Sequence, residues 1–219
     1  ESTRPKHSYG ENAATIVSEE EELDRVLPLI SKLSREIRIP VSIDTYKARI
    51  AKAAIEAGAS LVNDVSGLNA DPEIVRVISK KQVPIVIVHN QSNTNYTDLV
   101  NDIIKELRKK LNFALSLGID PQNLILDPGI GFGKNLHQNL ELLRRLKEFK
   151  VLGKPILIGT SRKSSIGDVL GLPVNERLEG TAATVALSIA NGADIVRVHD
   201  VKEMVRVTRM ADAIVKGIV

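Results

Sequence analysis

The 219-residue chain has no cysteine, no tryptophan and only 3% aromatic residues. Without cysteine there can be no disulfide, no thiolate nucleophile and no thiolate metal ligand. Long hydrophobic runs are missing as well. No stretch approaches the roughly 18 apolar residues that span a bilayer, and the opening residues carry no signal-peptide pattern. These absences suit a cytoplasmic protein without a membrane partner, and the cytoplasm is the expected location. The scarcity of aromatics also bears on the charge. The 30 lysines and arginines exceed the 27 acids, giving a net charge of +3, but they are spread along helical segments without aromatic interleaving. A nucleic-acid partner is therefore the poorer reading and an anionic small molecule the better one.

The rest of the composition, 43% hydrophobic and 26% charged, is ordinary for a globular chain. There is no internal linker or low-complexity segment, so residues 1–219 read as a single domain with one sizeable core.

Hydrophobic periodicity gives an alternation of helices and short apolar strands. Ser18 followed by Glu19, Glu20, Glu21 and Glu22 reads as an N-cap with an acidic first turn. It opens an amphipathic helix to about Ile37, on Leu23, Val26, Leu27, Ile30 and Leu33. Strands are expected at 41–44, 60–64, 84–88, 123–126, 155–159 and 195–198, and helices at 47–57, 73–79, 98–117, 137–149, 177–191 and 201–216; TSRKSSIGD, 160–168, reads as a loop. Three junctions, EAGASLVND, SLGIDPQNLILDP and ANGADIVRVHD, repeat one pattern: a helix end, a glycine suited to the left-handed cap, and an apolar strand ending on a polar residue.

Strands apolar on both faces and alternating with helices imply parallel strands covered by helices, either a doubly wound sheet or a closed (β/α)8 barrel. The polar residues decide between them. Asp44, Asn63, His89, Asp127, Ser161 with Lys163, and Arg197 with His199 each fall at or just past the C-terminal end of a strand. A barrel gathers all such ends at one mouth, whereas an open sheet uses mainly its switch point. The TIM (β/α)8 barrel is the expected fold. Only six strands are read where a barrel needs eight, so the first strand and most of the second would precede Glu1, leaving a seam with exposed sheet edges.

The most informative stretch is NLILDPGIGFGK, Asn123 to Lys134. It is a strand stopped by Asp-Pro-Gly, then a loop with glycines at 129, 131 and 133. Glycine lets the backbone approach a ligand and take positive φ. The plainer alternative is a strand-to-helix turn with a capping aspartate. On residue type alone, Lys134 and Arg162 read as surface charges, and His7 and His137 as solvent-facing. Asp64 reads as a cap for the turn after it, and His89 as either a rim residue or a pocket wall.

Six motifs in this order, ESTRP, SIDTYKA, NDVSG, DPGIGFGK, GTSRKS and RVHD, resemble those of bacterial dihydropteroate synthases, a pterin-binding TIM-barrel family, from Glu1 to about Val201. The resemblance implies a barrel enzyme, usually a homodimer. Such an enzyme condenses a dihydropterin hydroxymethyl diphosphate with 4-aminobenzoate and releases pyrophosphate in folate synthesis. It assigns the pterin to Asp44, Asn63, Asp127 and Lys163, with Asp44, Asp127 and Lys163 catalytic. It assigns the diphosphate to Arg197 and His199, and 4-aminobenzoate to Thr3, Arg4, Pro5, Phe132 and Ser164. Mg2+ is implied too, with an asparagine ligand on the first strand, before Glu1, and hence no metal ligand within this chain. The residue types suit these roles. A carboxylate accepts the paired donors of a pterin's 2-amino group and ring N–H, and an asparagine both gives and accepts. An ammonium donates to the pterin's carbonyl and ring nitrogen.

Two features depart from the family pattern: the run from Lys6 to Ile16 is long, and Val88 stands where methionine is frequent. Three other readings compete. A pterin-binding methyltransferase serving a corrinoid is disfavoured by the GTSRKS lysine and the STRP segment. An inactive pterin-binding subunit is disfavoured by Lys163 and Arg197. A sugar-phosphate barrel has no need of two carboxylates facing a planar ligand.

Overall fold

The computed structural model describes residues 17–217, so the expectations placed on Thr3, Arg4, Pro5 and His7 lie outside the described residues. The architecture is α/β. In chain order the elements are α1 (Glu19–Glu36), β1 (Ser42–Asp44), α2 (Ala48–Glu56), β2 (Leu61–Asp64), α3 (Glu73–Lys81), β3 (Ile85–Val88), α4 (Leu99–Ser116) and β4 (Leu124–Asp127), then α5 (Leu136–Arg144), β5 (Leu157–Ile158), α6 (Ser164–Leu170), α7 (Leu178–Ala190), β6 (Ile195–Val196) and α8 (Val201–Lys216). No helix among the described residues is long and apolar enough to cross a membrane. The chain gathers into two compact units. The first runs to Asn90 and takes in Glu106–Leu126; the second comprises Gln91–Lys105 and the chain from Asp127.

In the first unit the strands follow one another in the order β1-β2-β3-β4. Parallel pairing sets Asp44 opposite Asn63 and Asn63 opposite Val86. Every residue of β3, Ile85 to Val88, is buried, as a parallel strand covered on both faces requires. The core is completed by Ile50, Ala51 and Ala54 of α2 and Ile74, Val75 and Ile78 of α3. Ser18 caps α1, its side chain accepting from Glu21 N–H at 3.2 Å. Buried Glu22 of α1 pairs with Lys47 at 2.8 Å, just before α2.

In the second unit β5 and β6 pair in parallel, Leu157 with Ile195 and Ile158 with Val196. Val185 and Ile189 of α7 pack with Met204 and Ala211 of α8. Two segments depart from the periodicity. The helix expected over 137–149 ends at Arg144, and Leu146–Leu152 is 3-10 instead. Its buried residues are Leu146, Phe149 and Leu152, spaced at the three-residue repeat of a 3-10 turn; over so short a run that spacing does not separate the two helix types. Within the expected loop 160–168, α6 begins at Ser164 and runs on to Leu170, and Gly167 within it masked the helix, because glycine is a poor helix former.

Candidate active site

Within the first unit, Asp44 ends β1 and lies in register with Asn63, one residue before the end of β2. The ladder continues one step further, with Thr45 N–H donating to Asn63 O at 3.1 Å. Asn63 is buried, and its Nδ2 finds no hydrogen-bond partner among the described residues. An unmet buried donor costs about 1–3 kcal/mol, and a ligand acceptor would relieve that cost. Asp64 turns to a different task. Its carboxylate accepts from Ser66 N–H at 2.8 Å and Leu68 N–H at 2.7 Å, the capping role expected of it. Burial pushes its carboxyl above the usual range, against the pull of those bonds and of the Lys110 ammonium. Lys110 itself is buried and was not singled out from the sequence. His89, past β3, is buried.

Within the second unit, Asp127 begins a loop that wraps back on itself. Its carboxylate accepts from Gly129 N–H at 2.7 Å. Gly131 and Gly133 take φ of +82° and +59°, conformations that cost a side-chain-bearing residue strain. Gly133 also has no room, since a Cβ there would sit 2.3 Å from Gln91 O, while one on Gly131 would press on Lys163 Cδ at 3.3 Å. Two side chains hold the loop. Lys134 donates to Gly129 O at 2.9 Å and to Phe132 O at 2.7 Å. Asn139 of α5 accepts from Gly131 N–H at 2.7 Å and donates to Asn135 O at 2.9 Å. Lys134 is thus no surface charge: it is buried, and its ammonium serves loop carbonyls. The plain turn reading also fails, since α5 is capped by Asn135 in a capping box with Gln138 and not by Asp127.

Lys163 reaches the same loop. Its ammonium donates to Ile130 O and lies 4.8 Å from the centre of the half-buried Phe132 ring. Burial pushes the Lys163 pKa down to about 8, Arg197 adds to the fall, and Asp127 opposes it. Burial likewise pushes the Asp127 carboxyl up, while Lys163, the Gly129 N–H, Lys134 and Arg197 pull it down. A desolvated carboxylate and a desolvated ammonium thus lie within range of one another, each kept from full neutralisation by the other.

The backbone that carries Lys163 is constrained from three directions. Arg162 takes φ of +57°, rare for a residue with a side chain and frequent at functional sites. Its N–H donates to Thr181 Oγ1 at 3.1 Å, and its guanidinium grips Asp200, with Nε 3.1 Å from Oδ2. Arg162 is therefore a structural ion-pair partner and not a free surface charge. Arg177 donates to Arg162 O at 3.0 Å, Lys163 O at 3.1 Å and Leu172 O at 3.1 Å. It passes over Gly167, where a Cβ would come 2.1 Å from its Nη2. Sequence reasoning missed Arg177. The available signal was a cation just before a helix start, where the helix dipole disfavours one. Arg177→Ala is expected to cost about 2–4 kcal/mol from three lost hydrogen bonds, a fall of roughly 5–15 °C in thermal midpoint. It should also lower turnover by loosening Lys163; Arg177→Lys, unable to span three carbonyls, should recover only part of either loss, as thermal melts and steady-state kinetics would show.

Of the remaining expected residues, Arg197 and His199 follow β6 and are exposed just before α8, His199 bonding to Ser161. Ser164, the first residue of α6, and His137 are also exposed.

Within the second unit, the buried carboxylate of Asp127, the glycine-rich loop that follows it and the ammonium of Lys163 make up a desolvated, hydrogen-bonding candidate site. The chain belongs to the pterin-binding enzyme family, whose model, described as pterin binding enzyme, matches residues 1–199. A dihydropteroate synthase of Clostridium beijerinckii is 51% identical over 217 residues, covering 99% of this chain and 78% of that protein. Among solved structures, a dihydropteroate synthase of Clostridium difficile crystallised in the presence of pteroic acid is 51% identical with a TM-score of 0.91, across 98% of this chain and 79% of that one. The Xanthomonas albilineans enzyme with 4-aminobenzoic acid is 36% identical with a TM-score of 0.89, across 94% of this chain and 76% of that one. These likenesses put the chain in the α/β TIM-barrel class.

Proposed function

We propose that this chain is a transferase of folate synthesis with dihydropteroate synthase activity. It joins (7,8-dihydropterin-6-yl)methyl diphosphate to 4-aminobenzoate and releases pyrophosphate. The observation that carries the reading is the buried Asp127 at the end of β4, set among a folded-back glycine loop and the ammonium of Lys163. Asp127 accepts the pterin's 2-amino and ring N–H donors, and Lys163 donates to its carbonyl side. Asp44 and Asn63 are assigned to the pterin as well, and the unmet Nδ2 of Asn63 supports that assignment.

The bond between the pterin methylene and the diphosphate oxygen breaks first, the electron pair leaving with the diphosphate. Positive charge then develops on the methylene, and the carboxylates of Asp44 and Asp127 stabilise it. The arylamine nitrogen attacks, forms the new C–N bond and gives up a proton. Arg197 and His199, exposed ahead of α8, receive the diphosphate, a placement frequent in barrels. We assign the 4-aminobenzoate to Phe132 and Ser164 and, on the family resemblance, to Thr3, Arg4 and Pro5, which lie outside the described residues. The described residues hold no cluster of three His, Asp or Glu side chains that could grip a metal ion. Mg2+ takes most of its oxygens from substrate phosphates and water and needs few protein ligands, so we propose it as the cofactor with no ligand assigned among these residues; whether turnover needs it is read by chelation and re-addition.

We place the reaction in the cytoplasm, since a diphosphate ester does not cross a bilayer unaided, and we infer a complete (β/α)8 barrel with two strands beyond the six described. We also propose a homodimer. Leu187 of α7 and Val201, Met210 and Ile214 of α8, 59–72% exposed, are candidates for the apolar face such a dimer would bury; a monomer in sedimentation at micromolar concentration would contradict this. The reaction itself is tested by pyrophosphate release from the pterin diphosphate. Release that requires 4-aminobenzoate and yields dihydropteroate is the expected result. Methyl transfer to cob(I)alamin instead would install the methyltransferase reading.

A further inference from the structure

The pairing of β5 with β6 fixes an offset of 38 residues, Leu157 with Ile195 and Ile158 with Val196. That offset outlives the strands. Ser161 bonds to His199 and Arg162 to Asp200, each again 38 residues apart. Two side-chain rungs thus continue the ladder where the backbone pairing stops, and they tie the loop of Lys163 to the loop of His199.

The geometry of the Ser161 rung restricts where its protons can sit. Ser161 is buried, while the His199 ring is exposed. The serine Oγ lies 3.1 Å from His199 N and 2.8 Å from His199 Nδ1. The backbone N–H can only donate, so it takes one lone pair of Oγ. The hydroxyl proton then needs an acceptor, because a buried unmet donor is costly. Among the described residues, Nδ1 is the remaining partner of that hydroxyl. If Nδ1 carried the ring proton instead, Oγ would accept twice and its own proton would be stranded.

We propose that Ser161 is a positioning residue that locks His199 in the tautomer with a bare Nδ1 and a protonated Nε2. Nε2–H then faces away from Ser161 as a donor of fixed direction for an anionic oxygen. The inference rests on the assignment of the departing diphosphate to His199, and it says how that side chain is prepared. The Arg162–Asp200 rung holds the two loops in register, so the ring does not have to be ordered at each turnover.

The first test is long-range proton–nitrogen NMR on the full chain labelled at its four histidines, at a pH where the ring is neutral, with His199 identified by its loss in His199→Gln. A bare Nδ1 and a protonated Nε2 are expected; a protonated Nδ1 overturns the proposal. The second test uses inorganic pyrophosphate as the probe. Ser161→Ala should weaken its inhibition about three- to tenfold, the worth of one hydrogen bond, and leave the KM for 4-aminobenzoate unchanged. Ser161→Thr, which keeps the hydroxyl, should restore it. In a His199→Ala background Ser161→Ala should add nothing; an equal loss in both backgrounds overturns the proposal. Unchanged pyrophosphate affinity in His199→Ala, with Nδ1 bare, sinks the diphosphate assignment and leaves the tautomer standing.

Discussion

Asp127→Asn is expected to lower kcat/KM for the pterin substrate by about a hundredfold or more, on the order of 3 kcal/mol, the range for removing one partner from a buried charged contact. Two losses combine. The carboxylate that faces the cations of Lys163, Lys134 and Arg197 is neutralised, leaving desolvated positive charge behind. An amide also turns one of two acceptors into a donor, which then meets the pterin's own N–H. The fold should survive, because the asparagine Oδ1 can still accept from Gly129 N–H, the bond the carboxylate makes at 2.7 Å. Steady-state kinetics and a thermal melt on the same preparation separate the two effects. A variant with near-normal kcat/KM would remove Asp127 from the pterin site. A variant that melts far below the parent would assign Asp127 to the fold instead.

Lys163 supplies the second large effect, and its signature is a pH dependence. Burial holds its pKa near 8, below the ordinary lysine value of 10.5. Below about 8 the free enzyme presents an ammonium to the pterin; above it, an amine. Because kcat/KM follows the ionisation of the free enzyme, it should fall with rising pH through about 8, approaching tenfold per unit on the alkaline side. Lys163→Ala should lose most activity and flatten that limb. Lys163→Arg, charged at every working pH, should flatten it too, but with low activity, since a planar fork cannot replace a point donor aimed at Ile130 O. Stability should move the opposite way. Between about 8 and 10.5 the folded chain has released the Lys163 proton and the unfolded chain still holds it, so the unfolded state binds more protons and stability rises with pH across that window. Below it both states are protonated and the slope from this group vanishes. An alkaline limb unchanged in Lys163→Ala would transfer the pH dependence to another group.

The element order and the positions of several candidate site residues on it were legible in the sequence, for reasons that are local. The capping serine at 18, the glycines closing helices, and strands apolar on both faces are signals carried within a few residues. They placed α8 at Val201–Lys216 to the residue and put Asp44, Asn63 and Asp127 at strand ends. The six motifs assigned those residues a ligand.

What they could not carry is any contact that exists only once a loop has folded back, whether its two ends lie a few residues apart or many. Lys134 and Arg162 read as surface charges because a lysine or arginine in a polar loop is usually solvated. Only the folded loop shows Lys134 buried against the carbonyls of Gly129 and Phe132, and Arg162 joined to Asp200. Arg177 is an unremarkable residue before a helix until it is seen bonding three carbonyls over Gly167. The same holds for the low pKa of Lys163, since desolvation is a property of surroundings that no single residue specifies. By itself the sequence determined the alternation of strands and helices, the polar strand ends and the pterin-binding motifs. The tertiary structure alone decided which side chains hold the Lys163 and glycine loops, because those contacts exist only once the loops fold back, and the approach of Ser161 to His199, because strand register brings residues 38 positions apart into contact.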